Sequence, residues 1–154
     1  PELLGRIGRY EVEAGLGQGG MGVVLRAHDS DLQRTVAVKV LAPQWAASEV
    51  ARRRFSREAQ AAASVAHEHV VPIYNVEETA KLPFIVMRYV PGMTLEQWVR
   101  VNGAPDSATI LRVAGQLAVP QTNGNEIPSA GLLKGAENSS ICDGFYKMGK
   151  IQVL

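Results

Sequence analysis

The chain has 154 residues, enough for one ordinary domain, with sixteen basic against fifteen acidic side chains. So even a balance gives no electrostatic case for nucleic acid or an anionic membrane surface as a partner. One cysteine, Cys142, excludes an internal disulfide and fits a reducing compartment. No apolar run approaches the eighteen or so residues of a membrane span, and the first residues lack the basic and apolar regions of a signal peptide. These features lead us to expect a soluble cytoplasmic protein.

Residues 1–9 form a lead-in to which no chemistry is assigned. Tyr10 to Leu16 and Val23 to His28 read as two strands joined by Gly17-Gln18-Gly19-Gly20-Met21-Gly22. Glycines at the first, third and sixth positions let backbone N–H groups approach a polyphosphate with no Cβ in the way. Dinucleotide-binding folds share that spacing, but there a helix starts inside the glycine run. Here the glycines lead into the β-branched Val23-Val24, so the loop joins two strands.

Asp29 to Arg34 is polar and turn-like. Thr35 to Leu41 is a third strand, with Val36, Val38 and Val40 on one face and Ala37 and Lys39 on the other. A helix follows over about Ser48 to Val65, with Ser48 as N-cap and Glu49 in its first turn. Ala51, Phe55, Glu58, Ala62 and Val65 recur every three or four residues, which predicts one shared face. A carboxylate in that stripe calls for a cation, and Lys39 is the natural partner. The arginines 52, 53, 54 and 57 fall mostly on the other faces and read as solvated. His67-Glu68-His69 lacks a third nearby ligand, so no metal site is expected. Val70 to Val76 is a fourth strand, and the apolar Pro83 to Met87 is a buried fifth. Thr94 caps a short helix that Asn102-Gly103-Ala104-Pro105 ends. Asp106 or Ser107 caps another, Ala108 to Ala118, with Ile110, Leu111, Ala114 and Leu117 on its apolar side.

The glycine loop, Val36-Ala37-Val38-Lys39, Arg54-Phe55-Ser56-Arg57-Glu58-Ala59, His69-Val70-Val71-Pro72-Ile73-Tyr74 and Ile85-Val86-Met87-Arg88-Tyr89-Val90-Pro91-Gly92 occur in one order. Together they resemble the eukaryotic-like serine/threonine protein kinases of bacteria over about residues 8–118. The resemblance implies an α+β fold: an N-lobe with a five-stranded antiparallel sheet and one helix over residues 10–87, a hinge over 88–93, and two partial C-lobe helices over 94–118. It also implies an ATP site. Gly17, Gln18, Gly19, Gly20, Met21 and Gly22 would cover the phosphates, and Lys39, paired with Glu58, would contact them. Leu16, Val24 and Ala37 would enclose the purine beside Met87, the gatekeeper. The hinge Arg88-Tyr89-Val90 would meet the adenine edge through the backbone of Arg88 and Val90. Arg88 departs from the acidic residue usual in the family.

The likeness ends near Ala118. Residues 1–118 hold eleven Arg and two Lys, whereas residues 119–154 hold three Lys and no Arg. That shift suggests a tail of separate coding origin, by frameshift, fusion or misassembly. All three histidines lie at or before His69, so no His-Arg-Asp triplet follows. Cys142-Asp143-Gly144-Phe145 has the letters of the metal-binding Asp-Phe-Gly in the wrong order. Mg2+ is expected in the intact family, but its protein ligands are missing here, and the chain alone is expected to be catalytically incompetent. The alternatives are a non-catalytic interaction module, binding a protein partner or itself through the surface a C-lobe would cover, and a gene fragment without function.

Overall fold

The computed structural model describes residues 3–19, 22–67, 70–78 and 81–118, with residues 116–118 described by backbone alone. Six strands form one antiparallel sheet in the order β1-β2-β3-β4-β6-β5: Gly5–Ile7 (β1), Tyr10–Gly19 (β2), Gly22–Asp29 (β3), Arg34–Leu41 (β4), Ile73–Glu77 (β5) and Phe84–Arg88 (β6). The helices are Pro43–Ala46 (α1), Glu49–Ala63 (α2), Leu95–Asn102 (α3) and Ser107–Ala118 (α4).

The five expected strands are all present, and the lead-in supplies a sixth. Ile7 pairs with Tyr10 across a two-residue turn in which Gly8 takes φ +57, a conformation that favours glycine. The fourth expected strand starts at Ile73 rather than Val70. Pro72 cannot donate to a ladder; its carbonyl instead accepts from Arg88 N–H at 3.0 Å. Likewise Pro83 precedes β6 and accepts from Leu41 N–H at 2.9 Å.

Alternation along β4 sorts its side chains between two cores. Val36, Val38 and Val40 join Tyr10, Ala27, Phe84 and Val86 on one face. Ala37 and Leu41 join Val24, Ile85 and Met87 on the other, where Ala51, Phe55 and Ala59 of α2 pack. The helix therefore covers the Lys39 face of the sheet. Ser48 caps α2 by accepting from Ala51 N–H at 3.4 Å.

The line that α2 buries differs from the expected stripe. Ala51, Phe55, Ser56 and Ala59 are buried, while Glu58 and Ala62 stand at its margin. The reason is physical: a carboxylate gains more at the half-wet border of an interface than in its centre. Among the described side chains of α4, Val113 is buried, and the expected Ile110, Leu111 and Ala114 are exposed, the first two at 52% and 72%. The cap of α4 is Asp106, whose carboxylate accepts from Thr109 N–H at 2.9 Å. Thr94 and Gln97 form a reciprocal capping box on α3, which stops at Gly103 with φ +81.

A buried polar staple holds the far end of the sheet. Asp29 has no exposed surface, and its Oδ1 accepts from the N–H groups of Asp31 (3.2 Å) and Leu32 (3.3 Å). Its Oδ2 lies 3.3 Å from Arg9 and 4.0 Å from Arg34, whose guanidinium stacks 3.8 Å from the Tyr74 ring centroid. The β1–β2 turn, the β3–β4 turn and β5 are thereby tied together.

Candidate nucleotide site

The glycine run lies within a hairpin rather than in an open loop. Gly17, Gln18 and Gly19 continue β2 and pair with Val24, Val23 and Gly22 of β3. Register shifts between Val12 and Ala14 and between Gly15 and Gly17 make Glu13 and Leu16 extra residues on their strand. Such bulges re-aim side chains near sites. Leu16 is 37% exposed, and Glu13 turns to Arg26 at 2.9 Å.

The glycines differ in what surrounds them. A Cβ built on Gly17 or Gly19 would meet no atom within 4 Å, and neither residue has a positive φ. Nothing inside the fold therefore demands glycine at these two positions. At Gly22, by contrast, a Cβ would collide with the Val40 carbonyl and lie 3.4 Å from Ala42 N, so close backbone approach explains that glycine. Gly20 and Met21 lie outside the described residues.

Beneath this hairpin, β3 and β4 pair in register, with Val24 opposite Lys39 and Arg26 opposite Ala37. On its other side β4 pairs with β6, with Lys39 opposite Ile85 and Ala37 opposite Met87. Lys39 is 3% exposed, on the sheet face that also carries the buried Val24, Ala37, Ile85 and Met87 and that α2 covers. Burying a cation is costly, so an ammonium this inaccessible depends on its surroundings for compensation.

Glu58 lies on α2, three residues beyond Phe55 and next to Ala59, at the edge of the same interface. Its Oε1 accepts from Arg54 Nε at 2.9 Å. The spacing of Arg54 and Glu58, four residues apart on a helix, carries the signal for this pair, and reading the arginines as a merely solvated face overlooked it. Two of the other arginines are engaged as well: Arg53 pairs with Glu49 at 2.9 Å, and Arg52 donates to the Glu78 carbonyl at 2.8 Å.

Past Met87 the chain leaves the sheet. Arg88 ends β6 with its side chain exposed, and Tyr89 and Val90 are half-buried. Among the described residues, no group of three or more His, Cys, Asp or Glu stands where it would hold a metal ion. No helix among them is long and apolar enough to cross a membrane.

The sequence profile of the protein kinase domain matches residues 10–119, more than two thirds of the chain. The chain belongs to the protein kinase family. Among curated relatives, the serine/threonine-protein kinase PrkC of Bacillus subtilis is 38% identical over 122 residues, which are 78% of this chain and 19% of PrkC. A probable serine/threonine-protein kinase of Streptomyces coelicolor is 46% identical over 101 residues, covering 63% of this chain and 15% of that protein. Among solved structures, the kinase domain of Mycobacterium tuberculosis PknI superposes with a TM-score of 0.62 at 30% identity, over 78% of this chain and 51% of that one. This kinase chain thus spans about a fifth of its curated relatives and half of a solved kinase domain. The tail expected over residues 119–154, with Cys142 to Phe145, lies outside the described residues.

Proposed function

We propose that residues 10–90 form the ATP-binding part of a serine/threonine protein kinase of the bacterial type. One observation carries this reading: a lysine with 3% exposure stands at the root of a glycine hairpin, on the sheet face that α2 covers. The open space at Gly17 and Gly19 fits a polyphosphate, because it is where side chains would otherwise stand. In this reading Gly17, Gln18, Gly19, Gly20, Met21 and Gly22 cover the phosphates. Lys39 contacts them once Glu58 orients its ammonium. Leu16, Val24, Ala37 and Met87 enclose the purine, and the Arg88-Tyr89-Val90 backbone meets its edge.

ATP would supply the transferable phosphoryl group, with Mg2+ neutralising its charge. The chain's own part is to bind and orient. Transfer to a serine or threonine hydroxyl also needs a base and metal-binding carboxylates in a catalytic loop, and no His-Arg-Asp or Asp-Phe-Gly triplet occurs in these 154 residues. We infer that the chain alone binds nucleotide without transferring phosphate, in the cytoplasm. The deciding experiment is a thermal shift titration with Mg-ATP on wild type and Lys39→Met. A shift that vanishes in the variant supports the site, and a flat wild-type titration overturns it. Radiolabel appearing on a protein substrate with the purified chain overturns the inference of incompetence.

A second reading rests on Val101 of α3 and Ile110 and Leu111 of α4, which are 74%, 52% and 72% exposed. Large apolar side chains left in water favour association. Here the chain is an interaction module that binds a protein partner or itself through the surface facing a C-lobe. Sedimentation of wild type beside Leu111→Glu tests it: a wild type that is monomeric throughout removes self-association.

A further inference from the structure

We propose that Arg54 is a positioning residue that gates the Lys39–Glu58 pair by holding the Glu58 carboxylate along α2. The proposal deepens the nucleotide-site reading and rests on it. Side chains on a helix lean toward its N-terminus, so Glu58 reaches back naturally toward Arg54, one turn earlier. The contact is made, with Arg54 Nε 2.9 Å from Glu58 Oε1. Both residues sit at the wet border of the interface, their side chains 49% and 26% exposed. Glu58 is next to Ala59, which packs on the sheet face that carries Lys39.

A carboxylate shared with a guanidinium offers less negative potential to a second cation. Its Oε1 is also committed to a donor on its own helix, one turn earlier. A half-exposed pair of this spacing is weak, and the arginine-first order is the less favourable one, which suits a contact that must release. Arg53 and Arg52 have other partners, Glu49 and the Glu78 carbonyl, so the gate is assigned to Arg54.

A double-mutant cycle on the full chain tests this, with Mg-ADP affinity as the readout. Arg54→Gln keeps helix propensity, and circular dichroism verifies the fold of each variant. Arg54→Gln is expected to tighten binding roughly two- to fivefold, the range open to an exposed pair. On a Glu58→Gln background the same change should do nothing. Arg54→Lys, which keeps the charge, should stay within about twofold of wild type. Unchanged or weaker binding by Arg54→Gln overturns the gate, and so does equal tightening without Glu58. A nucleotide-free arm separates the two readings. The 15N resonance of the Lys39 ammonium, followed by NMR titration, should shift to a higher pKa in Arg54→Gln, and an unmoved titration overturns the gate. Failure of wild type to bind Mg-ADP would instead overturn the nucleotide site beneath it.

Discussion

Arg9 donates from Nη2 to Oδ2 of Asp29 at 3.3 Å, joining the turn before the glycine hairpin's first strand to a carboxylate with no exposed surface. The other oxygen of Asp29 takes two backbone N–H groups of its own turn. Removing the carboxylate leaves those donors without an acceptor in a buried place. Asp29→Ala is therefore expected to cost about 2–4 kcal/mol, the range for stranding buried hydrogen-bonding groups and an ion pair. Arg9→Ala should cost less, because its side chain is 45% exposed and its pairing is screened by solvent. Urea denaturation of the two variants checks the order, and a larger loss at Arg9 would contradict it.

Phe55 joins α2 to the sheet. It is 1% exposed among Val24, Leu41, Ile85 and Met87. Phe55→Ala removes a ring from a packed interface and should cost about 3–5 kcal/mol. A domain holding about 5–15 kcal/mol in total has little to spare. The expected result is a chain that is largely unfolded or has lost α2 packing, seen as a weaker near-ultraviolet circular dichroism signal. A sharp, wild-type melt would show that α2 is not anchored at this residue.

Lys39→Met should separate stability from function. A cation at 3% exposure costs desolvation, and Met matches its length without a charge. Glu58 keeps Arg54 and partial solvation, so losing Lys39 does not strand it. The nucleotide-free variant is expected to stay folded, while the Mg-ATP shift disappears. A fall of more than about 1 kcal/mol in the unliganded variant would mean that the ammonium stabilises the fold itself.

Asp106 gives the chain a pH-dependent helix end. Hydrogen bonds from the Thr109 side chain and its backbone N–H hold the Asp106 carboxyl below its ordinary range. A depressed carboxylate pKa contributes stability above the unfolded value, and that stability is lost as pH falls through the folded value. The helical signal of α4 should therefore hold at neutral pH and weaken only under acid, below the usual aspartate range near about 3.9. Asp106→Asn keeps a capping oxygen without a titrating group. It should remove this component of the acid response in residue-resolved NMR of residues 107–112. An unchanged profile in that variant would place the transition elsewhere.

The chain alone determined whatever depends on local period and spacing. Alternation placed Lys39 and Ala37 opposite Val36, Val38 and Val40, because a strand has only two faces. Caps at Ser48 and Thr94 and breaks at Gly103 and Pro105 followed from backbone chemistry that needs no distant partner. Other features were decided only by tertiary contact. Gly5–Ile7 has no strand signature and becomes β1 because β2 offers an unpaired edge. Asp29 looks like an ordinary turn residue until Arg9 and Arg34 close over it from remote positions. Glu58 reads as central to an apolar stripe, yet the packing of Phe55 and Ala59 turns the helix so that it lies at the border beside Arg54. A helical period fixes which residues share a face, while the angle at which that face meets the sheet is set by the volumes packed between them.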